Sequence, residues 1–326
     1  MTKVYKDINK EGMVIMCKYE KATQPTIYFI GVTTGSSSIM KVFPRWAKAL
    51  GLKDAVIKGI DFKPHSPAEE YREAVEFIKE DPLSLGALVT THKIDLYNSC
   101  KDLFDYIDPF ADQLGEISCI SKLDGEFRAH AKDPISSGLA LEAFVPEDYW
   151  KDYGGEVLLL GAGGASLAMS VYFTQKKFGD NVPVKITIAN RSLPRLKEAE
   201  KILSGLNEKT TFNFVLNPTP EDNDKTLAAL PPHSLIVNAT GLGKDGPGSP
   251  LTDNCQFPKD SLVWEINYRG DLVFKDQAEA QQQEKNLLIE DGWVYFIHGW
   301  TQVVSEVFHT PIEGEVLDNL SEIAKN

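Results

Sequence analysis

Glu156-Val157-Leu158-Leu159-Leu160-Gly161-Ala162-Gly163-Gly164-Ala165-Ser166-Leu167-Ala168 is the stretch that decides how this chain is read. A continuous apolar run meets a glycine turn, and a small-residue helical stretch starts at once. Strand, tight turn and helix in that order suit a dinucleotide pyrophosphate: Gly161 permits the turn and Gly163 permits close backbone approach. The N–H groups at the positive helix start, from Gly164 and Ala165 onward, would then meet the phosphates. Ser166 stands where the dinucleotide fingerprint often has its third glycine. An ordinary glycine turn in an α/β protein is the plain alternative, and the strand–turn–helix context favours the cofactor.

Downstream, Val184–Ala189 is a strong second strand of the same domain, and it exits into Asn190-Arg191-Ser192. A domain that selects NAD commonly supplies an acidic ribose contact at that exit. Arg191 instead suits a 2′-phosphate through charge and its forked donors, with Arg195 as a second cation and Asn190 and Ser192 as neutral partners. NADP or NADPH is therefore expected over NAD, although an arginine that stacks on adenine would leave NAD open. Phe212–Leu216, Leu235–Thr240 and Ser261–Tyr268 read as further strands.

Upstream, Thr26–Val32, Val56–Phe62 and Leu85–Thr90 read as strands separated by helices. The helices carry Val42, Phe43, Trp46 and Ala47, then Tyr71, Ala74, Val75 and Ile78 on one face. Such alternation implies mostly parallel pairing. The third strand empties into Thr91-His92-Lys93, at the strand end where ligands collect in open parallel sheets. There Lys93 is either a site residue or a solvated loop lysine, and His92 either a polar site group or a turn residue. Ile117–Ile120 and Glu126–His130 flank Asp124-Gly125 as a hairpin. Asp133 follows, and a turn or cap role is open to it as well.

Composition bounds the rest. The 326 residues suffice for two domains, with 42% hydrophobic and 25% charged residues. A net charge of −13 argues against nucleic acid or an acidic membrane surface as partner. The four cysteines include no close pair, so neither a disulfide framework nor a zinc site is suggested, and no metal is expected. Residues 1–11 are polar and lack a secretion-signal core, and no apolar run reaches bilayer length, which fits a cytoplasmic protein. Oligomeric state is left open, a homo-oligomer included.

The order and spacing of these pieces resemble the shikimate/quinate dehydrogenase family. The likeness runs through 30–51, 89–93, 114–138, 161–168, Ala189-Asn190-Arg191-Ser192, Asn238-Ala239-Thr240-Gly241-Leu242-Gly243 and the last Gly-rich apolar helix. The resemblance implies two α/β domains: an open, mostly parallel substrate-domain sheet over 1–138, a Rossmann-like cofactor domain over 139–275, and carboxy-terminal helices over 276–326 that complete the first. It implies Lys93 as the catalytic proton-transfer and alkoxide-polarising residue, with Asp133 as orienting carboxylate and alternative proton carrier. It further implies substrate contacts at Ser37, Thr90, Ser118 and Tyr268, and a nicotinamide border at Thr240 and Gly241.

The departures fall in the substrate motifs. Ile39 occupies a second carboxylate-binding serine position, Ser118 replaces an asparagine with Glu116 nearby, and Gly299 aligns with a substrate-touching glutamine. The expected activity is NADP-dependent hydride transfer to or from a small hydroxylated carboxylic acid or polyol, or the corresponding ketone. NAD-dependent quinate-like oxidation is one alternative, and a noncatalytic nucleotide-binding sensor another.

Overall fold

The computed structural model describes residues 5–8, 14–206, 208–244 and 246–325, with side chains from Lys18 onward. Most of the polar segment 1–11 and Asp245 of the 244–250 loop lie outside the described residues. The chain divides into two compact units, 1–132 with 300–326, and 133–299.

In the first unit, β1 (Tyr5–Ile8) pairs antiparallel with β2 (Val14–Cys17). A six-stranded sheet follows, built from β3 (Thr26–Gly31), β4 (Val56–Asp61), β5 (Ser84–Val89), β6 (Tyr106–Ile107), β7 (Cys119–Leu123) and β8 (Glu126–His130). Its order is β4-β3-β5-β7-β8-β6. β3 runs parallel to both β4 and β5, whereas β7 is antiparallel to β5 and β8. The β7–β8 hairpin closes at Asp124-Gly125, both at positive φ. Crossovers α1 (Ile39–Ala49) and α2 (Ala68–Glu80) bury the faces their spacing marks: Val42, Phe43, Trp46 and Ala47, then Tyr71, Ala74, Val75 and Ile78. The helix α3 (Lys93–Cys100) leaves β5, and α4 (Pro109–Leu114) is a six-residue helix. Asp108 caps α4 by accepting from Ala111 N at 2.6 Å, and Gly115 ends it.

The second unit opens with α5 (Asp133–Glu142), which buries Ala140 and Leu141. α6 (Tyr149–Tyr153) leads to a wholly parallel sheet of β9 (Glu156–Leu160), β10 (Lys185–Asn190), β11 (Thr211–Leu216), β12 (Leu235–Asn238), β13 (Leu262–Glu265) and β14 (Leu288–Glu290). The order is β11-β10-β9-β12-β13-β14. Counted from β9 this is 3-2-1-4-5-6, the order of a doubly wound dinucleotide domain. Val157 to Leu160 have no exposed surface, as a strand covered on both faces requires.

Its helices are α7 (Gly164–Phe173), α8 (Leu193–Leu203), α9 (Pro220–Ala228), α10 (Val273–Glu279) and α11 (Gln282–Lys285). The three-residue β14 pairs with β13, and residues 276–299 thereby lie in this unit. The boundary falls inside α12 (Trp293–Phe308), and α13 (Gly314–Lys325) belongs to the first unit. There Trp46 Nε1 donates to the Leu320 carbonyl at 2.8 Å, tying α1 to α13. Among the described residues no helix is long and apolar enough to cross a membrane.

Candidate active site

Three parallel strands of the first unit end together, and side chains lock their exits. After β3, the Thr33–Ser38 loop is held by Asp61 at the end of β4, whose Oδ1 accepts from Thr34 N at 2.8 Å and Thr34 Oγ1 at 2.7 Å. Gly59 makes room for this, since a Cβ there would stand 2.0 Å from Thr34 Oγ1. Ser37 is half-buried on the same loop and its amide donates to Thr34 O at 3.0 Å. Ile39, at the second serine position of the resemblance, is fully buried as the first residue of α1. Its side chain serves the core.

The exit of β5 is pinned by His92. Its ring is 1% exposed, with Nε2 3.1 Å from Gly31 O and Nδ1 3.0 Å from the Tyr71 hydroxyl. A carbonyl can only accept, so Nε2 carries a proton. His92 thus ties the exits of β3 and β5 together through partners far along the chain rather than within its own turn. Thr90 N donates to Ile30 O at 3.0 Å, and Thr91 adopts φ 46°. Lys93 follows as the first, half-buried residue of α3.

Ser118 is 2% exposed, and its hydroxyl is occupied by the protein. It accepts from Lys132 N at 2.7 Å and lies 3.5 Å from His130 O. Lys132 continues into an ion pair with Glu306 at 2.7 Å, and His130 Nε2 lies 3.3 Å from the same carboxylate. Burial opposes ionisation of Glu306, but the Lys132 hydrogen bond and the His130 and Lys132 charges outweigh it and hold the carboxyl below its ordinary value.

In the second unit, backbone does more of the shaping. Gly161 has φ +111°, and a Cβ there would meet Ala239 O at 2.8 Å, so only glycine fits. Ser166 Oγ donates back to Gly161 O at 2.7 Å, a hydroxyl closing the turn at the third-glycine position. Nothing lies within 4 Å of a Cβ built on Gly163, and no side chain caps α7 there. The first amides of α7, from Gly164 and Ala165, therefore border open space suited to phosphate oxygens. This turn leaves β9, at the point where the strand order reverses.

Arg191 is exposed just past β10, and Asn190 Nδ2 reaches Ser192 O at 3.5 Å. Arg195 is engaged by Glu198 at 2.9 Å in an exposed pair, which dilutes its value as a second phosphate cation. Tyr268 is half-buried, its ring 4.4 Å from that of Phe296 and 6.0 Å from that of Trp293. At Gly299 a Cβ would meet nothing within 4 Å.

A buried network stands at the ends of β12 and β13. Glu265 has no exposed surface. Its Oε2 accepts from Asn238 Nδ2 at 2.6 Å, and its Oε1 from Asn267 N at 2.8 Å and Asn267 Nδ2 at 2.7 Å. Asn238 Oδ1 then accepts from Thr240 Oγ1 at 2.6 Å and Thr240 N at 3.1 Å. Burial pushes the Glu265 carboxyl up to about 7 against these donors. A lone Glu ending the apolar Leu262-Val263-Trp264 was the sequence signal for this group, and periodicity gave it no role. Elsewhere burial pushes the Cys100 and Cys255 thiols up to about 12 and 11, so neither is a nucleophile at neutral pH. Among the described residues no group of His, Cys, Asp or Glu could hold a metal ion.

Fold and strand exits together define a two-domain α/β protein with a dinucleotide-type second domain. No family model matches the chain. It is 33% identical over 228 residues to the NADP(+) shikimate dehydrogenase of Bacillus cereus (strain AH187), covering 69% of this chain and 73% of that protein. The chain belongs to the shikimate dehydrogenase family. A match to the Streptococcus thermophilus shikimate dehydrogenase (NADP(+)) is 29% identical over 181 residues, 55% of this chain and 59% of the relative. Among solved structures, quinate dehydrogenase from Corynebacterium glutamicum in complex with NAD shares the fold with a TM-score of 0.69 at 18% identity, covering 92% of this chain and 98% of the other.

Proposed function

We propose that this protein is an NADP-dependent alcohol oxidoreductase acting on a small hydroxylated carboxylic acid or polyol and the matching ketone. The observation that carries the reading is the Gly161 turn at the reversal point of a 3-2-1-4-5-6 sheet, one strand away from Arg191. The residues suit the group: Gly161, Gly163, Gly164 and Ala165 offer backbone to a pyrophosphate, while Asn190, Arg191 and Ser192 offer donors to a ribose phosphate. Thr240 and Gly241 would border the nicotinamide. When bound, the dinucleotide accepts or supplies the hydride.

The chain's own residues manage the proton and the pose. In the reducing direction the Lys93 ammonium donates a proton to the substrate oxygen as negative charge develops there; in the oxidising direction its amine takes the proton back. Asp133 accepts a hydrogen bond from the substrate hydroxyl and so orients it. Ser37 and Thr90, on the locked exits of β3 and β5, donate to the substrate's carboxylate or hydroxyls, with Tyr268 as a further contact. Ser118 contributes through its hold on Lys132 N, since its hydroxyl is already engaged.

With Ile39 in the core and Gly299 where a glutamine would reach, two polar contacts of the shikimate pocket are lost, which favours a different hydroxy-acid or polyol. The engaged Arg195 favours a second reading, NAD-dependent quinate-like oxidation.

Parallel fluorescence titration with NADPH and NADH, followed by turnover assays across shikimate, quinate and small polyols, tests the proposal. NADPH should bind more tightly, and Arg191→Gln should weaken NADPH by about 10- to 100-fold with little change for NADH. Equal losses for both nucleotides would remove the phosphate assignment. Nucleotide binding with no turnover on any alcohol would favour a sensor.

A further inference from the structure

We propose that Glu265 is a positioning residue whose carboxylate sets the direction of a hydrogen-bond chain that shapes the Thr240–Gly243 turn for the nicotinamide end of the dinucleotide. The inference rests on the nucleotide reading above and adds to it a group that touches neither nucleotide nor substrate.

Amide side chains are reversible in principle, because nitrogen and oxygen have the same shape and opposite polarity. An ionised carboxylate is not, since it can only accept, and Glu265 is ionised once the pH is above the value near 7 to which burial raises it. Oε2 of Glu265 therefore forces Asn238 to present Nδ2 toward it, 2.6 Å away, and Oδ1 away from it. That oxygen takes both the amide of Thr240 at 3.1 Å and its hydroxyl at 2.6 Å. With its proton committed, Thr240 Oγ1 is left to accept from Leu242 N at 3.2 Å.

The other carboxylate oxygen orients Asn267 in the same way. Asn267 Nδ2 then also reaches Thr240 O at 3.2 Å and Leu242 O at 3.4 Å. Two amides and two carbonyls of the turn thus take their orientation from one buried anion. Asn238 and Glu265 have no exposed surface and Asn267 only 5%, so water does not stand in for a lost partner.

Consider Glu265→Gln, which keeps the volume. The new amide oxygen can serve Asn267, but its nitrogen then faces Asn238 Nδ2, donor against donor. Turning the Asn238 amide over relieves that clash and creates another at Thr240 N. Frustration is pushed into the turn whichever way the amide lies. Pairing the change with Asn238→Asp restores the polarity toward Thr240 and residue 265: an acceptor faces Thr240 N and Oγ1, and it accepts from the new amide at 265, so that only the long contact of Asn238 Nδ2 to the Leu242 carbonyl, 3.4 Å, loses its donor. A role in packing alone predicts no such rescue, because all the variants have the same shape.

The test, run on the alkaline side of the Glu265 titration near 7 so that the carboxylate is ionised, is amide hydrogen exchange at Thr240 and Leu242 in the full chain without nucleotide, together with NADPH titration. Glu265→Gln should speed both amides by about tenfold or more and weaken NADPH by a similar factor, while Asn238→Asp/Glu265→Gln returns both to within about threefold of the parent. A paired variant no better than the single one, or a single variant with unchanged exchange, overturns the proposal. Should Glu265→Gln fail to fold, Thr240→Val and Thr240→Ser cut and keep the chain in the half-buried turn. Leu242 must then lose protection in the first and retain it in the second, and equal protection in both overturns the proposal. Exchange that behaves as expected in a parent protein unable to bind NADPH supports the chain's direction and overturns the nucleotide reading instead.

Discussion

The exits of β3 to β5 in the first unit and the exit of β9 in the second are built by different means. In the first unit, side chains do the holding: Asp61 grips Thr34, and His92 bridges Gly31 and Tyr71. In the second, the turn after β9 is set mainly by backbone, with Gly161 at φ +111° against Ala239, and a single side chain, the Ser166 hydroxyl, closes on its carbonyl. A backbone cradle recognises what all dinucleotides share, and it is indifferent to most neighbouring side chains. Exits held by side chains change chemistry with each substitution. The contrast fits the departures at Ile39 and Ser118 in the first unit, while the turn after β9 keeps its first two glycines.

The largest effect expected from testing this contrast is at Lys93. Lys93→Ala should lower turnover by about 10³-fold while NADPH affinity holds within about twofold, because only first-unit chemistry is touched. Turnover equal to the parent under chemistry-limited conditions would remove the catalytic role.

Next is the buried carboxylate of the second unit. Burial, with Asp291 adding to it, raises the Glu265 carboxyl from 4.5 to about 7, so the folded chain keeps a proton that the unfolded chain has released. Its contribution is fully present below pH 4.5 and is lost as pH rises through about 7. Urea unfolding between these limits should show the parent losing of order 3 kcal/mol relative to Glu265→Gln. A constant difference across the window would place the group in a more polar setting than its burial implies.

The smallest effect belongs to the backbone cradle. Gly161→Ala should cost about 2 kcal/mol of stability, since a side chain at that φ is strained. It should also weaken NADPH and NADH alike, unlike the selective loss expected at Arg191. A variant as stable as the parent would mean the turn relaxes away from Ala239.

Much of this architecture was legible before any coordinates. Val42, Phe43, Trp46 and Ala47, like Tyr71 through Ile78, announce buried helix faces because apolar burial follows the 3.6-residue period. The Gly161 turn could be read because it depends on local backbone, and the place of Arg191 at a strand exit because the strand before it is continuous and largely apolar. The three-residue β14 could not, since Leu288–Glu290 becomes a strand only by pairing with β13. Pro109 and Gly115 were visible as punctuation, yet only the Asp108 cap turns them into the ends of a helix.

The sequence by itself determined two α/β units, a glycine cradle and the identity of the groups able to carry charge and protons. Only the tertiary structure decided that His92 joins Gly31 to Tyr71, that Ser118 receives the Lys132 amide, and that Asn238, Glu265 and Asn267 form one directed chain. Hydrogen-bond direction depends on which polar atoms meet across many residues, and no local pattern in the chain encodes that meeting.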